Sequence, residues 1–161
     1  MKAAAKVMGH EVLSEATLDE LFDHVKEIRE QCGDRAFLRA YHFLNETQRA
    51  HDEAEALKKQ DIKTFFQLVR ESGRSSWMYL QNISVGSMPE SQAVAIGLAI
   101  SESVIHEDGA YRVHGGGFAG TIQAFVNKHT TETFIERMEK TFGKGCCYIL
   151  RIRDVGGIRL A

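Results

Sequence analysis

The sequence predicts an α+β fold in which an antiparallel sheet, covered on one face by helices, follows a series of long helices. Over the first two thirds of the chain, apolar residues recur at the three- and four-residue spacing of amphipathic helices. Beyond residue 109, short segments with alternating apolar and polar residues predict strands, and one further helical segment lies between them. Such alternation is typical of an antiparallel sheet with one buried face, which the helices would cover.

The first two predicted helices have clear ends. Thr17 and Glu20 have the spacing of a capping box, so the first helix is predicted to begin after Thr17. Gly33 is predicted to end it, because glycine is the residue most often found just beyond a helix. Asp34 is then predicted to cap a second, long helix that runs to about Lys59.

The third and fourth predicted helices also begin at recognisable caps. Asp61 is predicted to cap the third helix, which frays near Ser72 and Gly73. Ser87 and Glu90 repeat the capping-box spacing and predict the start of the fourth helix. The apolar residues on its predicted buried side are Ala93, Ile96, Gly97, Ile100 and Val104.

Four strands are predicted in the last third of the chain. Residues 110–113 and 121–126 lie on either side of a glycine-rich loop, and residues 147–152 and 158–160 follow a further helix. These strands predict a four-stranded antiparallel sheet. The helix between the two pairs carries Phe134, Ile135, Met138 and Phe142 on one face and ends at Gly143.

Composition favours one soluble globular domain that spans residues 1–161. Hydrophobic residues make up 43% of the chain and charged residues 26%, which are ordinary values for such a domain. The formal net charge of −2 gives no long-range attraction to nucleic acid or anionic membranes. No apolar stretch approaches the roughly 20 residues needed to cross a bilayer. A cytoplasmic location, with neither nucleic acid nor membrane as a partner, is therefore expected.

The three cysteines are expected to be packing residues. Cys146 and Cys147 are adjacent at the start of a predicted strand, so their side chains should point to opposite faces of the sheet. That placement does not suit one metal site, and Cys32 lies at the end of a predicted helix. Since no zinc-binding or Walker-type motif occurs either, we expect no metal site in this chain.

The glycine-rich loop between the first two predicted strands is the most informative segment. A simple hairpin needs only a two-residue turn, and four glycines in six positions exceed that requirement. Glycine is favoured where the backbone has positive φ or where another group must come close, and successive free amides can bind an anion. The loop is therefore either a phosphate cradle or a tightly packed turn. It comprises Gly115, Gly116, Gly117, Phe118, Ala119 and Gly120.

Polar side chains elsewhere carry weaker hypotheses. His114, just before the loop, has the chemistry of a general base or phosphate donor, but a histidine there can equally end the strand. Four residues of the second helix share one face, and a solvated stripe with minor ion pairs is favoured over a network that contacts something outside the chain. These four are Arg39, His42, Glu46 and Arg49.

Several motifs resemble one enzyme family. Residues 113–120 (VHGGGFAG) resemble the third signature motif of the GHMP small-molecule kinases, and the flanking segments resemble galactokinases in particular. Residues 39–49 and 68–76 are similar to two further segments of the C-terminal half of galactokinases, in the same order. His114 and Ala119 depart from the motif, which usually has threonine and glycine at these positions.

The resemblance implies a GHMP-kinase C-terminal domain with a ferredoxin-like sheet, and a complete enzyme about twice this length. In that family the N-terminal domain carries the sugar-binding residues, the catalytic aspartate and a serine-rich nucleotide loop, so no catalytic residue is expected here. The glycine-rich loop would lie beside the phosphates of ATP, with Arg112 and His114 as auxiliary residues. The chain alone is therefore predicted to be inactive.

The resemblance also implies partners. These are an N-terminal kinase domain, ATP with magnesium, and galactose, which is phosphorylated at its anomeric hydroxyl. The face that the N-terminal domain covers would be exposed in this chain and would allow a homodimer. The alternative is a stand-alone, non-catalytic ligand-binding or regulatory domain that is derived from a sugar kinase.

Overall fold

Helices occupy most of the chain. The computed structural model describes residues 1–118 and 120–151. The elements in these ranges, in chain order, are α1 (Lys2–Val7), a 3₁₀ turn (Leu13–Glu15), α2 (Leu18–Asp23), α3 (Val25–Cys32), α4 (Asp34–Lys58), α5 (Ile62–Ser75), a π-helix (Ser76–Leu80), α6 (Ala93–Ile105), β1 (Ala110–His114), β2 (Thr121–Phe125) and α7 (Thr131–Phe142). No helix in this part of the chain is both long enough and apolar enough to span a lipid bilayer.

The first predicted helix is two helices in the structure. The capping box is confirmed, since Thr17 Oγ1 accepts from the Glu20 amide and the Glu20 carboxylate accepts from the Thr17 amide. The chain then leaves helical geometry at His24, where ψ is 18° and ring atom Nδ1 lies 2.9 Å from the Glu20 carbonyl oxygen. The Glu20 carbonyl also accepts the His24 amide at 3.1 Å, and α3 begins at the next residue. Gly33, with φ 84°, ends α3 as predicted.

The caps predicted for the next two helices have different outcomes. Asp34 does not cap α4, because its carboxylate accepts a hydrogen bond from Arg29 Nε at 2.6 Å instead. Asp61 caps α5 as predicted, through a bond from the Thr64 amide at 3.0 Å. The predicted fraying at Ser72 is wrong: α5 continues to Ser75 and into the π-helix.

The predicted start of the fourth helix is wrong. Residues 87–90 form turns, in which the Met88 amide donates to the Val85 carbonyl, and α6 begins only at Ala93. Ile96, predicted to be buried, is 47% exposed. The buried residues of α6 are Val94, Gly97, Leu98, Ser101, Val104 and Ile105.

The described part of the sheet has two strands. β1 and β2 pair antiparallel in a register that runs from Ala110 opposite Phe125 to His114 opposite Thr121, which confirms this pair. No third or fourth strand occurs within the described residues: 147–151 are not in a strand, which corrects that prediction. The remaining predicted strand, 158–160, lies outside the described residues.

Helices cover both faces of this pair, which corrects the expectation of one covered face. On one face, Ala110 and Phe125 pack with residues of α5, including Phe65. On the other face, Val113 packs with α6, and Ile122 packs with both α6 and α7. The two strands therefore lie between α5 on one side and α6 with α7 on the other.

Candidate functional site

The glycine-rich loop, residues 115–120, connects the ends of β1 and β2 beyond the last strand pair. Gly115 and Gly116 are exposed, whereas Gly117 is half-buried. The φ angles are 64° at Gly115, 77° at Gly117 and 61° at Phe118, while Gly116 is not in the left-handed region. A change in the sign of φ between successive residues is the backbone pattern of an anion-binding nest. The backbone at Ala119 lies outside the described residues.

Two backbone amides of this loop are already used within the fold. Phe118 donates its amide to the Asn82 carbonyl, and Gly120 donates to the Gly117 carbonyl at 3.1 Å. In residues 1–118 and 120–151, the amides of Gly115, Gly116 and Gly117 have no backbone acceptor outside the strand ladder. Because Gly115 and Gly116 are also exposed, their amides are the candidates for contact with a ligand.

Asn82 is a buried residue that packs against the glycine-rich loop. It is 3% exposed, and its Nδ2 donates to the Gly116 carbonyl at 3.3 Å. A Cβ atom at Gly117 would lie 2.6 Å from Asn82 Nδ2 and 2.7 Å from its amide carbon. Glycine is therefore required at position 117 by close packing as well as by φ.

The two residues predicted as auxiliary to the loop lie in different surroundings. His114 ends β1, is exposed and directly adjoins Gly115. Arg112 is directed to the α4 side, where its Nη2 lies 3.6 Å from Glu46 Oε2. The structure therefore brings His114 to the loop and holds Arg112 in a different polar cluster.

That cluster joins α4, α5 and β1. Glu46 pairs with Arg49 of its own helix and accepts a hydrogen bond from Ser72 Oγ at 2.5 Å. His42 Nδ1 lies 2.9 Å from Ser75 Oγ. We call these residues, together with Arg112, the polar cluster. The favoured interpretation of this face as a solvated stripe is wrong, because α4 packs this face against α5.

The polar cluster keeps His42 neutral. Burial lowers the pKa of His42 to about 4, and the positive charges of Arg49 and Arg112 act in the same direction. Desolvation also lowers the pKa of Arg112, while Glu53 opposes that effect. A neutral, hydrogen-bonded imidazole in this position is a structural group that orients α5.

Two open clefts adjoin Arg74 but not the loop. The first, with a volume of about 180 Å³, is lined by Arg70, Gly73, Arg74, Trp77, Leu98, Ala99, Glu102, Tyr111 and Arg112. The second, of about 250 Å³, is lined by Tyr41, Asn45, Arg49, Glu71, Arg74, Ser75, Met78 and Tyr79. Neither lining includes a described residue of the glycine-rich loop.

The cysteines and carboxylates form no metal centre in the described part of the chain. No group of three or more histidine, cysteine, aspartate or glutamate side chains there could hold a metal ion. Cys146 and Cys147 do not point apart as predicted, because they are not in a strand; their sulfur atoms are 3.8 Å apart. Burial raises the pKa of Cys147 to about 11, so this thiol is protonated at neutral pH.

Comparison with known proteins agrees with the motifs. The chain is 27% identical to the galactokinase of Actinobacillus pleuropneumoniae over 87% of its length, and 29% identical to that of Homo sapiens over 91%. It is 28% identical to the galactokinase of Bos taurus over 93%. The chain is similar to one part of a galactokinase. No protein-family model matches it.

The match covers most of this chain but a minor part of each galactokinase. The chain spans 34–36% of the length of these three relatives. Because 87% or more of the chain is aligned in each case, the aligned span necessarily includes the glycine-rich loop and the polar cluster. The resemblance to galactokinases that the motifs predicted is thus confirmed.

Sequence reasoning missed the partners of both sites. Asn82 has no motif, and it reaches the loop only because the π-helix and Gln81, with φ 55°, redirect the chain after α5. Ser72 and Ser75, near the predicted end of the third helix, both contact side chains of α4. Their spacing of three residues, on the same face as Val69, was the available signal.

Proposed function

We propose that this chain is the C-terminal half of an ATP-dependent galactokinase and acts together with an N-terminal kinase half. In that enzyme the anomeric hydroxyl of galactose attacks the γ-phosphorus of ATP, the bond to the β-phosphate oxygen breaks, and ADP leaves. The hydroxyl proton passes to a base on the other half. This chain contributes the glycine-rich loop on the phosphate side, and it has no phosphotransferase activity alone.

The observation that carries the proposal is the exposed start of the loop, within a chain aligned to galactokinases along most of its length. Phosphoryl transfer depends on positioning and on stabilising charge, which backbone amides can do without titrating. Gly115 and Gly116 are exposed, and a Cβ atom at Gly116 would meet no atom of the described residues within 4 Å. These amides fit phosphate oxygens, whereas the described residues supply no ligand cluster for magnesium.

A second observation is an exposed apolar segment of this chain that could contact the N-terminal half. Tyr148, Ile149 and Leu150 are 83%, 78% and 85% exposed. Three consecutive exposed apolar residues form a surface that monomeric proteins usually bury. In our proposal this segment contacts the N-terminal half.

The test is complementation. The full chain is mixed with the N-terminal half of a galactokinase, and ADP release is measured with ATP alone, galactose alone and both. We expect turnover only when both halves and both substrates are present. A folded, stably mixed pair without turnover would contradict the proposal. ATP binding by this chain alone, combined with such an inert pair, would instead support the stand-alone binding domain.

A matched pair of variants tests the role of the loop. Gly116→Ala adds a methyl group beside the proposed phosphate position, while Gly86→Ala adds one in an exposed turn. At both positions the new Cβ meets nothing within 4 Å, and neither φ is positive, so both variants should fold. We expect a rise of about tenfold or more in the KM for ATP with Gly116→Ala, from about 1.4 kcal/mol of lost phosphate contact, and no change with Gly86→Ala.

A further inference from the structure

We propose that Asn82 is the positioning residue of the glycine-rich loop: it fixes the loop so that the first amides remain free for phosphate. The inference about loop geometry stands on contacts within this chain. What the loop binds rests on the proposed function.

The fold delivers Asn82 to the loop by an irregular route. After α5, the π-helix widens the turn and ends at Gln81, which has left-handed geometry and donates a backbone hydrogen bond to the Ser76 carbonyl at 2.7 Å. π-helical turns are rare and are found frequently at functional sites. Here the π-helix changes the direction of the chain after α5, so that Asn82 contacts residues 116–118.

Asn82 holds the loop at three successive residues. Its side-chain Nδ2 donates to the Gly116 carbonyl, and its own carbonyl accepts the Phe118 amide. Gly117, between them, is packed against the Asn82 side chain so closely that a Cβ atom would collide with it. Asn82 Oδ1 is buried without a partner in the described part of the chain, so the bond from Nδ2 to Gly116 is the only hydrogen bond of this side chain there.

These contacts determine which polar groups remain available. Asn82 occupies the Gly116 carbonyl, which would otherwise repel an anion, and it turns the Phe118 amide inward. The residues at the start of the loop, Gly115 and Gly116, are exposed. Phe118 has φ 61°, a costly value for a phenylalanine, and in this conformation its amide donates to the Asn82 carbonyl.

The prediction for a ligand follows from this arrangement. Without Asn82 the loop should sample other conformations, and the cost of ordering it would be added to phosphate binding. The effect should fall on the phosphate-bearing substrate and not on the sugar. A role confined to stability would not separate the two substrates.

The test uses Asn82→Ala with Asn45→Ala as its control. Asn45 likewise donates from Nδ2 to a backbone carbonyl, that of Tyr41 at 2.8 Å, and is half-buried, but it lies on α4. Amide hydrogen exchange of the full chain, measured by NMR, reports the Phe118 amide. We expect its protection to fall by about tenfold or more in Asn82→Ala and to be unchanged in Asn45→Ala.

A second variant keeps the test decisive if Asn82→Ala does not fold. Gly117→Ala displaces the loop from Asn82 while leaving the core intact, and it should cause the same loss of protection at Phe118. In the complemented enzyme both variants should raise the KM for ATP and leave that for galactose unchanged.

Each outcome separates the two proposals. Unchanged protection of the Phe118 amide in both variants would overturn the role of Asn82, whether or not the chain has the proposed function. A second outcome is that the variants lose protection while the mixed wild-type halves bind neither ATP nor inorganic tripolyphosphate. That outcome would support the positioning role of Asn82 and refute the proposed function. Lost protection with equal effects on both substrates would restrict Asn82 to a structural role and overturn the inference.

Discussion

The carboxylate of Glu46 connects three elements of the fold. It pairs with Arg49 on α4, accepts from Ser72 on α5 and lies 3.6 Å from Arg112 Nη2 on β1. The Arg49 and Glu46 side chains are only 15% and 21% exposed, so water screens these contacts weakly. Removing one partner of such a cluster leaves the others desolvated without compensation.

Glu46→Gln should therefore lower the free energy of unfolding by roughly 2 kcal/mol, because two arginines lose a charged partner. Urea titration at neutral pH measures this change. The control is Glu55→Gln, which removes the exposed carboxylate paired with Lys58 and should have no measurable effect. Equal effects from the two variants would show that the polar cluster contributes no more than a surface ion pair.

His42 predicts a pH dependence of stability. Its pKa is about 4 in the folded chain against an ordinary 6.5, so the unfolded chain binds more protons between these values. Stability from this group is complete above about pH 6.5 and is lost as the pH falls toward 4, by on the order of 3 kcal/mol. Urea titrations across this range should show a weaker decline for His42→Gln than for the wild type. His129→Gln, at an exposed position, should retain the wild-type decline.

At the residue scale, the sequence predicted local pairings better than tertiary ones. The Thr17 and Glu20 capping box and the Asp61 cap follow from fixed short spacings, and both form. The face of α4 was recognised as one stripe, but its burial depends on α5, which no local spacing reports. Asn82 is the extreme case, since its contacts to the loop are 34 residues away along the chain.

At the element scale, the contact of α5 with β1 depends on a glycine. A Cβ atom at Gly73 would lie 3.1 Å from the Tyr111 carbonyl oxygen and 3.2 Å from Arg112 Cβ. The first of these neighbours is backbone, which cannot swing aside as the end of a side chain can. The missing side chain at position 73 therefore lets α5 lie close to β1.

Gly73→Ala tests this packing. Alanine gains about 1 kcal/mol in helix propensity over glycine, while overpacking costs about 1–3 kcal/mol. We expect a net destabilisation of about 1 kcal/mol in urea titration. The control is Gly97→Ala in α6, where the nearest atom is the flexible end of Ile122 at 3.4 Å. That variant should be neutral or more stable, and the reverse order of the two would contradict the close contact.

The predictions of elements failed where tertiary packing competed with local signals. The spacing of Ser87 and Glu90 predicted a helix start, but the chain forms turns there before α6 begins. Residues 147–151 have the alternation of a strand, yet no described strand lies beside them. A strand needs a neighbouring strand to pair with as well as alternating apolar and polar residues, and the local sequence shows only the alternation.

At the scale of the whole molecule, the exposed segment 148–150 is the surface that our proposal assigns to the N-terminal half. Apolar residues of this kind are stabilised by burial at about 25 cal/mol per Å². Without another half to cover them, copies of the chain can cover one another. In our proposal, self-association and complementation therefore use one surface and exclude each other.

Ile149→Lys tests this exclusion. A lysine places a hydrated charge in the apolar surface, so we expect weaker self-association and weaker complementation from one substitution. Sedimentation velocity should show the variant as an 18.1 kDa monomer at concentrations where the wild type associates. Met88→Lys, at an exposed apolar residue in a turn, should leave both properties unchanged.

Adding the N-terminal half should also dissociate the wild-type oligomers, because it competes for the same residues. Wild-type associates that persist in the active mixture would place self-association on a different surface.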